Sequence, residues 1–481
     1  MTEKILFIIA ILVLATASFW QISQSPATWF DEGINLGIAK SLVSNGTYSL
    51  QIAPNKFVEN RSFLITTNYP VLFPVATSIK LFGFNLWAAR IPMIVFMLTF
   101  AVAIFMLTKK LYGQESAIMT LALLVSFAPF YGNGKAVLGE IPGLLYFILG
   151  LLLLASANHS PLKLFFSGLL FGLSAATKPF FLIIFPAIMV GELMEFNVNK
   201  IFIKRWIIIA CGTTLPILAW LYSILPTFSL SAITTTANYY ANSYAATGFA
   251  TLVAKNILRF FTETTPAHFL LLLIPFFMII YSKLKNREKQ NKLEIIILSF
   301  IAINILWYLK TPGWYRYFFT AHVLAFIFFP AALTILFTKI KVLRCPYIDP
   351  RALTLLIVFL LFIIQANILI SKRTDSLYYS NDAATVAKAL NNSMKINEDV
   401  LVINAPSIAF LLNTRNIYQY LQINPKLAFG KHSLKNENNK PHKFIVAHSL
   451  DGIDIPNIRE ITNSKYTQIE FGSYTLYTLK K

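Results

Sequence analysis

Long apolar runs recur through this chain, and they limit what it can fold into more than any other feature. Eleven segments stand out, with cores at about 5–19, 88–108, 117–130, 141–157, 164–176, 180–193, 206–225, 269–281, 293–309, 318–337 and 353–370. Several approach the roughly 20 residues that a helix needs to cross a bilayer. Hydrophobic residues make up 56% of the chain and charged residues 13%, against about a quarter charged in a water-soluble domain. The mean hydropathy of +0.62 agrees. The expected fold class is mainly α: a polytopic membrane protein with about eleven transmembrane helices. Segment 5–19 follows a single Lys4, as in a signal peptide, but has no convincing small-residue cleavage site after it. It reads as a retained first span.

A net charge of +20 would suit a nucleic-acid partner, but its distribution does not. Many basic residues flank the apolar runs, where they set topology and meet anionic lipid. No nucleic acid is expected. One set of alternate loops carries Lys109, Lys110, Lys163, Lys200, Lys204, Arg205, Lys283, Lys285, Arg287, Lys289, Lys292, Lys339, Lys341, Arg344 and Arg351. The other loops are far longer yet hold fewer Lys and Arg. The basic set is therefore read as cytoplasmic. The N-terminus is then inside, and an odd number of spans puts the C-terminus outside. This is the pattern of a multi-pass protein of the cytoplasmic (inner) membrane. Cys211 and Cys345 are isolated, so neither a disulfide nor a metal site is inferred from them.

With that orientation the large loops face outward. The first, at 20–87, opens with Trp29-Phe30-Asp31-Glu32-Gly33. Ile34, Ile38 and Leu42 follow at helical spacing, which predicts a helix lying along the membrane surface and ending at Asn45-Gly46. Residues 48–67 alternate enough to be short strands. Residues 70–82 read as a second interfacial helix closed by Gly83. A second outward loop, at 226–266, is rich in Thr, Asn and Tyr, including Tyr239, Tyr240 and Tyr244. It is a candidate cover or acceptor contact. After residue 371 the composition turns polar. Strand-like runs at 400–404, 444–448 and 474–479 and helical stretches at 382–394 and 407–412 predict a small α/β domain outside, at 372–481.

Three groups of residues carry candidate chemistry. Asp31 and Glu32 lie just past a membrane exit, in a chain with only 21 Asp plus Glu. Such a carboxylate acts as a general base if it reaches an acceptor hydroxyl, or as a ligand for a divalent cation. It serves equally as a helix N-cap with a favourable first-turn neighbour. Glu140 opens the fourth span, where a carboxylate is costly unless it faces a wet cavity or a partner. An N-cap ahead of Pro142 or a pair with Lys135 would also account for it. The outward cations are Arg90, Lys135, Lys178, Arg259 and Arg316. Singly, each is explained as a snorkelling side chain, and Trp314-Tyr315-Arg316-Tyr317 as part of an aromatic belt. Lys178 interrupts an apolar run on the side where the topology rule disfavours it. Acids and cations together on one side point to a site for an anionic lipid headgroup such as a phosphate. His268 and His322 are lone histidines at or in spans and read as packing or hydrogen-bonding residues.

These segments resemble the membrane glycosyltransferases of the C fold class (GT-C), in the group that includes dolichyl-phosphate-mannose-protein mannosyltransferases and lipid A aminoarabinose transferases. Trp29–Gly33 resembles the family's Asp-Glu motif. Asn68-Tyr69-Pro70-Val71-Leu72-Phe73, Leu81-Phe82-Gly83 and Ala89-Arg90-Ile91-Pro92 resemble its second interfacial helix and entry to the next span. Lys109–Gly113, the stretch from Gly168 to Lys178-Pro179, and Arg316-Tyr317 resemble further family features. The chain departs where many relatives have His-Pro-Pro and this one has Asn68-Tyr69-Pro70, and where Asp is commoner than Glu140.

The resemblance implies a polyprenyl-phosphate-linked sugar as donor, inversion at the anomeric carbon, and Asp31 as the base that takes the acceptor's proton. It implies Arg90, Lys178 and Arg316 as ligands of the donor phosphate. Glu32 and Glu140 position the acceptor or a divalent cation, and Asp31 and Glu140 are the candidate metal ligands. Lys135, Tyr69 and Tyr317 are candidate substrate contacts. The acceptor is a glycan, lipid or protein. Two other classes compete. A secondary transporter or lipid flippase would place its charges in mid-membrane, whereas here they lie at span ends. A non-catalytic assembly subunit would use the acids as caps alone.

Overall fold

The computed structural model of the chain describes residues 2–157, 160–193, 200–241, 248–285, 291–339, 349–371, 379–395, 398–424, 427–431, 440–448, 450, 453 and 458–480. Cys345 and Tyr244 lie outside the described residues. The chain opens with α1 (Thr2–Phe19), then α2 (Phe30–Asn45), a small antiparallel hairpin of β1 (Gln51–Ala53) and β2 (Lys56–Phe57), and α3 (Tyr69–Phe82). The main bundle follows: α4 (Leu86–Ser126), α5 (Ala128–Lys135), α6 (Glu140–Ala155), α7 (Pro161–Thr177), α8 (Ile184–Leu193) and α9 (Lys200–Ile224). Next come α10 (Leu230–Ala241), α11 (Phe249–Thr262), α12 (Thr264–Lys285), α13 (Lys292–Leu309), α14 (Phe319–Ala325), α15 (Phe329–Lys339) and α16 (Pro350–Ser371).

Each of the eleven predicted segments is mainly helical, with 117–130 broken at Phe127 and 318–337 broken at 326–328. Among the described residues, by length and composition alone, four helices are long and apolar enough to cross a membrane, or up to seven if each bent pair is one span. The 41-residue α4 holds two predicted segments. It breaks at Gly113, whose φ of 86° is costly for any residue with a Cβ. Close packing inside the bundle depends on small residues, as expected where lipid competes with every apolar contact. A Cβ on Gly168 of α7 would lie 2.1 Å from the Ile209 carbonyl oxygen of α9. One on Gly212 of α9 would lie 2.2 Å from the Phe165 carbonyl oxygen.

The C-terminal α/β domain contains α17 (Asp382–Ser393), β3 (Val400–Ile403), α18 (Pro406–Leu411), β4 (Ile417–Asn424), β5 (Leu427–Phe429), β6 (Phe444–Ala447), α19 (Ile458–Lys465), β7 (Tyr466–Phe471) and β8 (Tyr474–Leu479). The strands form one sheet in the order β5-β4-β3-β6-β8-β7, with β3 parallel to both β4 and β6. All four residues of β3 are buried, as befits a parallel strand covered on both faces. Val400 and Val402 pack with α17 and α18. Leu401 and Ile403 face the other side, in a cluster that includes Ala53 of β1. The first loop therefore helps to cover the sheet.

One expectation for that loop changes. Between residues 48 and 67 only β1 and β2 are strands, and Arg61–Phe63 forms a 3-10 turn. The α2 helix ends at Gly46 as predicted, and protein covers most of it. Glu32, Gly33, Ile34, Asn35, Leu36, Ile38, Ala39 and Ser41 are all buried. The Ile34 and Ile38 stripe meets protein on one side, and the C-terminal domain covers the other.

Candidate active site

The α2 helix starts at Phe30, with Trp29 as N-cap and no side-chain cap bond. Asp31 is thus not an N-cap. It sits in the first turn, where its charge suits the helix dipole, and its side chain is about a third exposed (32%). Arg316 donates from Nη1 to Asp31 Oδ2. Arg316 lies in a 3-10 turn, Tyr315–Tyr317, between α13 and α14. Its guanidinium is ringed by Trp29, Trp314 and Tyr317, with ring centroids 5.7, 5.1 and 5.1 Å away. Its Nη2 donates to the Tyr317 hydroxyl at 3.4 Å. Burial opposes its charge, but the carboxylates of Asp31 and Glu140 and the hydrogen bond to Tyr317 outweigh that, and its pKa lies above the ordinary value.

Glu140 is the first residue of α6, after Gly139 as N-cap. Its partner is Lys178, not Lys135: Lys178 Nζ donates to Glu140 Oε1. Glu140 Oε2 is buried without a hydrogen-bond partner. Lys178 follows α7, which brings it to this end of the bundle. Gly139 permits the approach, since a Cβ there would lie 3.2 Å from both Lys178 Cβ and Thr177 Cγ2. The charge of Glu140 also favours the charged form of Arg316, so the Glu140–Lys178 pair lies within electrostatic reach of the Asp31–Arg316 pair.

Glu32 and Arg90 form a different structure. Their side chains are 0% exposed. Arg90 Nε and Nη2 donate to Glu32 Oε1 and Oε2 at 2.8 and 2.7 Å, and Nη1 donates to the Ile22 carbonyl at 2.8 Å. The Val137 amide donates to Glu32 Oε1 at 3.1 Å, and Asn35 Nδ2 donates to the Val137 carbonyl at 2.7 Å. This pair ties α2 to the exit of α1, the start of α4 and the α5–α6 connection. Neither side chain presents a surface to a ligand.

Among the candidate substrate contacts, Lys135 is buried and donates to the Trp20 carbonyl at 3.0 Å. The Tyr69 hydroxyl donates to the Pro216 carbonyl at 3.3 Å. Tyr317 stacks on Trp314. Tyr239 of α10 is a further neighbour: burial, then the nearby Tyr317 and Asp31, push its phenol pKa up. Only the Thr-, Asn- and Tyr-rich composition of that loop pointed to it. The lone histidines are in fact partners. His268 Nδ1 lies 3.0 Å from His322 Nε2, and the Tyr315 hydroxyl lies 3.0 Å from His322 Nδ1. Sequence spacing gives no sign of a pair 54 residues apart. Among the described residues no three His, Cys, Asp or Glu side chains gather as metal ligands. Asp31 and Glu140 each face a side-chain cation, so no step below runs through a metal.

Residues 70–223 match the family model described as dolichyl-phosphate-mannose-protein mannosyltransferase. No curated protein matches the sequence. Over nearly its whole length the chain is similar in structure to ArnT from Cupriavidus metallidurans. Against the crystal structure with undecaprenyl phosphate the TM-score is 0.61 at 10% identity, covering 98% of this chain and 97% of that one. Against the apo state it is 0.59 at 12% identity, covering 98% and 97%. The Archaeoglobus fulgidus oligosaccharyltransferase, in complex with zinc and sulfate, gives 0.57 at 13% identity, covering 92% of this chain and 67% of that one. The chain is a multi-pass membrane protein with the GT-C fold.

Proposed function

We propose that this GT-C chain is an inverting glycosyltransferase that moves a sugar from a polyprenyl phosphate to an acceptor hydroxyl at the outer face of the cytoplasmic membrane. The observation that carries the reading is the Asp31–Arg316 pair, with Glu140–Lys178 in electrostatic reach of it. Two carboxylates and two cations so placed serve both halves of such a transfer. Asp31 takes the proton of the acceptor hydroxyl. The acceptor oxygen attacks the anomeric carbon, the bond from that carbon to the phosphate oxygen breaks, and its electron pair leaves with the lipid phosphate. That anion needs no acid, because Arg316 and Lys178 stabilise the developing charge. Guanidinium and ammonium bind phosphate at least as well as carboxylate, so the donor draws both cations from Asp31 and Glu140. The family match over 70–223 and the undecaprenyl phosphate bound to the similar ArnT support a lipid-linked donor.

Within this reading Glu32 and Arg90 are a structural brace rather than substrate ligands, and Glu140 holds Lys178 ready for the phosphate. The Asp31→Asn chain should fold like wild type, since Asp31 is partly exposed, and should lose transfer by roughly 100-fold or more. The measurement is mass-spectrometric detection of sugar transfer from an undecaprenyl-phosphate-linked sugar. Undiminished transfer by a folded Asp31→Asn chain would remove Asp31 as the base.

A further inference from the structure

The contacts of α2 assign a role to the C-terminal domain, and the assignment rests on Asp31 being the base. We infer that Lys40, with Gly33, is a positioning residue: through it the C-terminal domain holds the helix that presents Asp31. Two observations on one face of α2 carry this. At Gly33, next to the acidic pair, α18 comes so close that a Cβ would lie 2.4 Å from the Ser407 amide nitrogen and 2.8 Å from the Pro406 ring. Seven residues on, or two helical turns, Lys40 Nζ donates to the carbonyls of Ala409, Phe410 and Leu412 at 3.0, 3.0 and 2.6 Å.

Those three carbonyls lie at the end of α18, where a helix leaves its last acceptors unpaired and favours a cation. Asn391 Nδ2 takes the carbonyl between them, Leu411, at 3.1 Å. The cap on a helix of the C-terminal domain is thus supplied by the helix that carries Asp31. The first half of α2 is also tied elsewhere: Asp31 to Arg316, Glu32 to Arg90, and Asn35 to the Val137 carbonyl. Lys40 is the constraint that reaches the domain on this side. Further contacts fix the domain on the same loop. The Ser380 amide donates to the Gln24 carbonyl at 3.2 Å, and Gln419 Nε2 donates to the Gln51 carbonyl at 2.6 Å. The domain therefore does more than offer a surface to an acceptor: it sets the register of α2 against the Arg316 turn.

The test uses the full chain in lipid nanodiscs, comparing wild type, Lys40→Met, Lys40→Arg and Gly33→Ala. One readout is carbodiimide-driven amine labelling of Asp31, located by peptide mass spectrometry. The other is mannose transfer from undecaprenyl-phosphate-linked mannose. Lys40→Met should raise Asp31 labelling several-fold as the pair with Arg316 loosens. It should also lower kcat roughly tenfold with the donor KM little changed, as misplacement of a catalytic group does. Lys40→Arg should restore most of both, and Gly33→Ala should behave like Lys40→Met. Unchanged Asp31 labelling in folded Lys40→Met and Gly33→Ala chains would overturn the inference. If wild type transfers no mannose, mannose is excluded as the sugar of the proposed transfer, while the labelling arm still decides whether Lys40 positions Asp31. If Lys40→Met does not fold, Gly33→Ala carries the same comparison.

Discussion

Arg90 and Glu32 are both without exposed surface, and that decides how each single change must act. A buried bidentate pair adds little net stability against an apolar replacement, but removing one partner leaves an uncompensated charge, at a cost of about 3–5 kcal/mol. Arg90→Met should therefore lower the thermal unfolding midpoint of the detergent-solubilised chain sharply. The double variant Glu32→Gln with Arg90→Met should lose less than the sum of its two single changes. Additive losses would show that the two charges do not act as a pair. At this scale the sequence exposed the residue types but not the pairing. Asp31, Glu32, Arg90, Glu140, Lys178 and Arg316 all stood out, because a charge near a membrane boundary is costly and so conspicuous. Which acid meets which cation was hidden, since partners such as Asp31 and Arg316 lie 285 residues apart.

At the scale of elements, periodicity and turn residues read well. The predicted end of α2 at Asn45-Gly46 holds, with Gly46 in the left-handed conformation and its amide bonded to Leu42. The strands at 400–404, 444–448 and 474–479 fall on β3, β6 and β8. The packing of α2 against the C-terminal domain was hidden, because an apolar stripe shows that a face is buried but not what buries it. Helix contacts were equally illegible, as the α7–α9 pair shows. Gly168 looks like any glycine in an apolar run, yet a Cβ there would meet backbone, which cannot step aside. Gly168→Ala should therefore cost about 1–3 kcal/mol through overpacking, seen as a lower unfolding midpoint in detergent. An unchanged midpoint would mean that α7 and α9 separate at little cost.

For the whole molecule, the contact of Lys40 with α18 requires the first loop and the C-terminal domain to share one side of the membrane. We propose, from the Lys and Arg asymmetry, that this side is outside. An impermeant maleimide should then label Lys443→Cys, which lies on the exposed surface of the C-terminal domain, in intact cells without permeabilisation. Labelling that appears only after lysis would invert the topology and move the proposed transfer to the cytoplasmic face.

By itself the sequence determined the membrane class, the helical character of the eleven segments, the α/β domain after them, and the small set of charged residues available for chemistry. These follow from local quantities: hydropathy over about 20 residues, side-chain period and charge beside apolar runs. The tertiary structure alone decided that Asp31 pairs with Arg316 and Glu140 with Lys178, that Glu32–Arg90 is sealed as a brace, and that Lys40 caps a helix of the C-terminal domain. Those are long-range pairings. Each depends on the geometry with which whole helices pack, and a charge in the sequence carries no mark of the partner that will satisfy it.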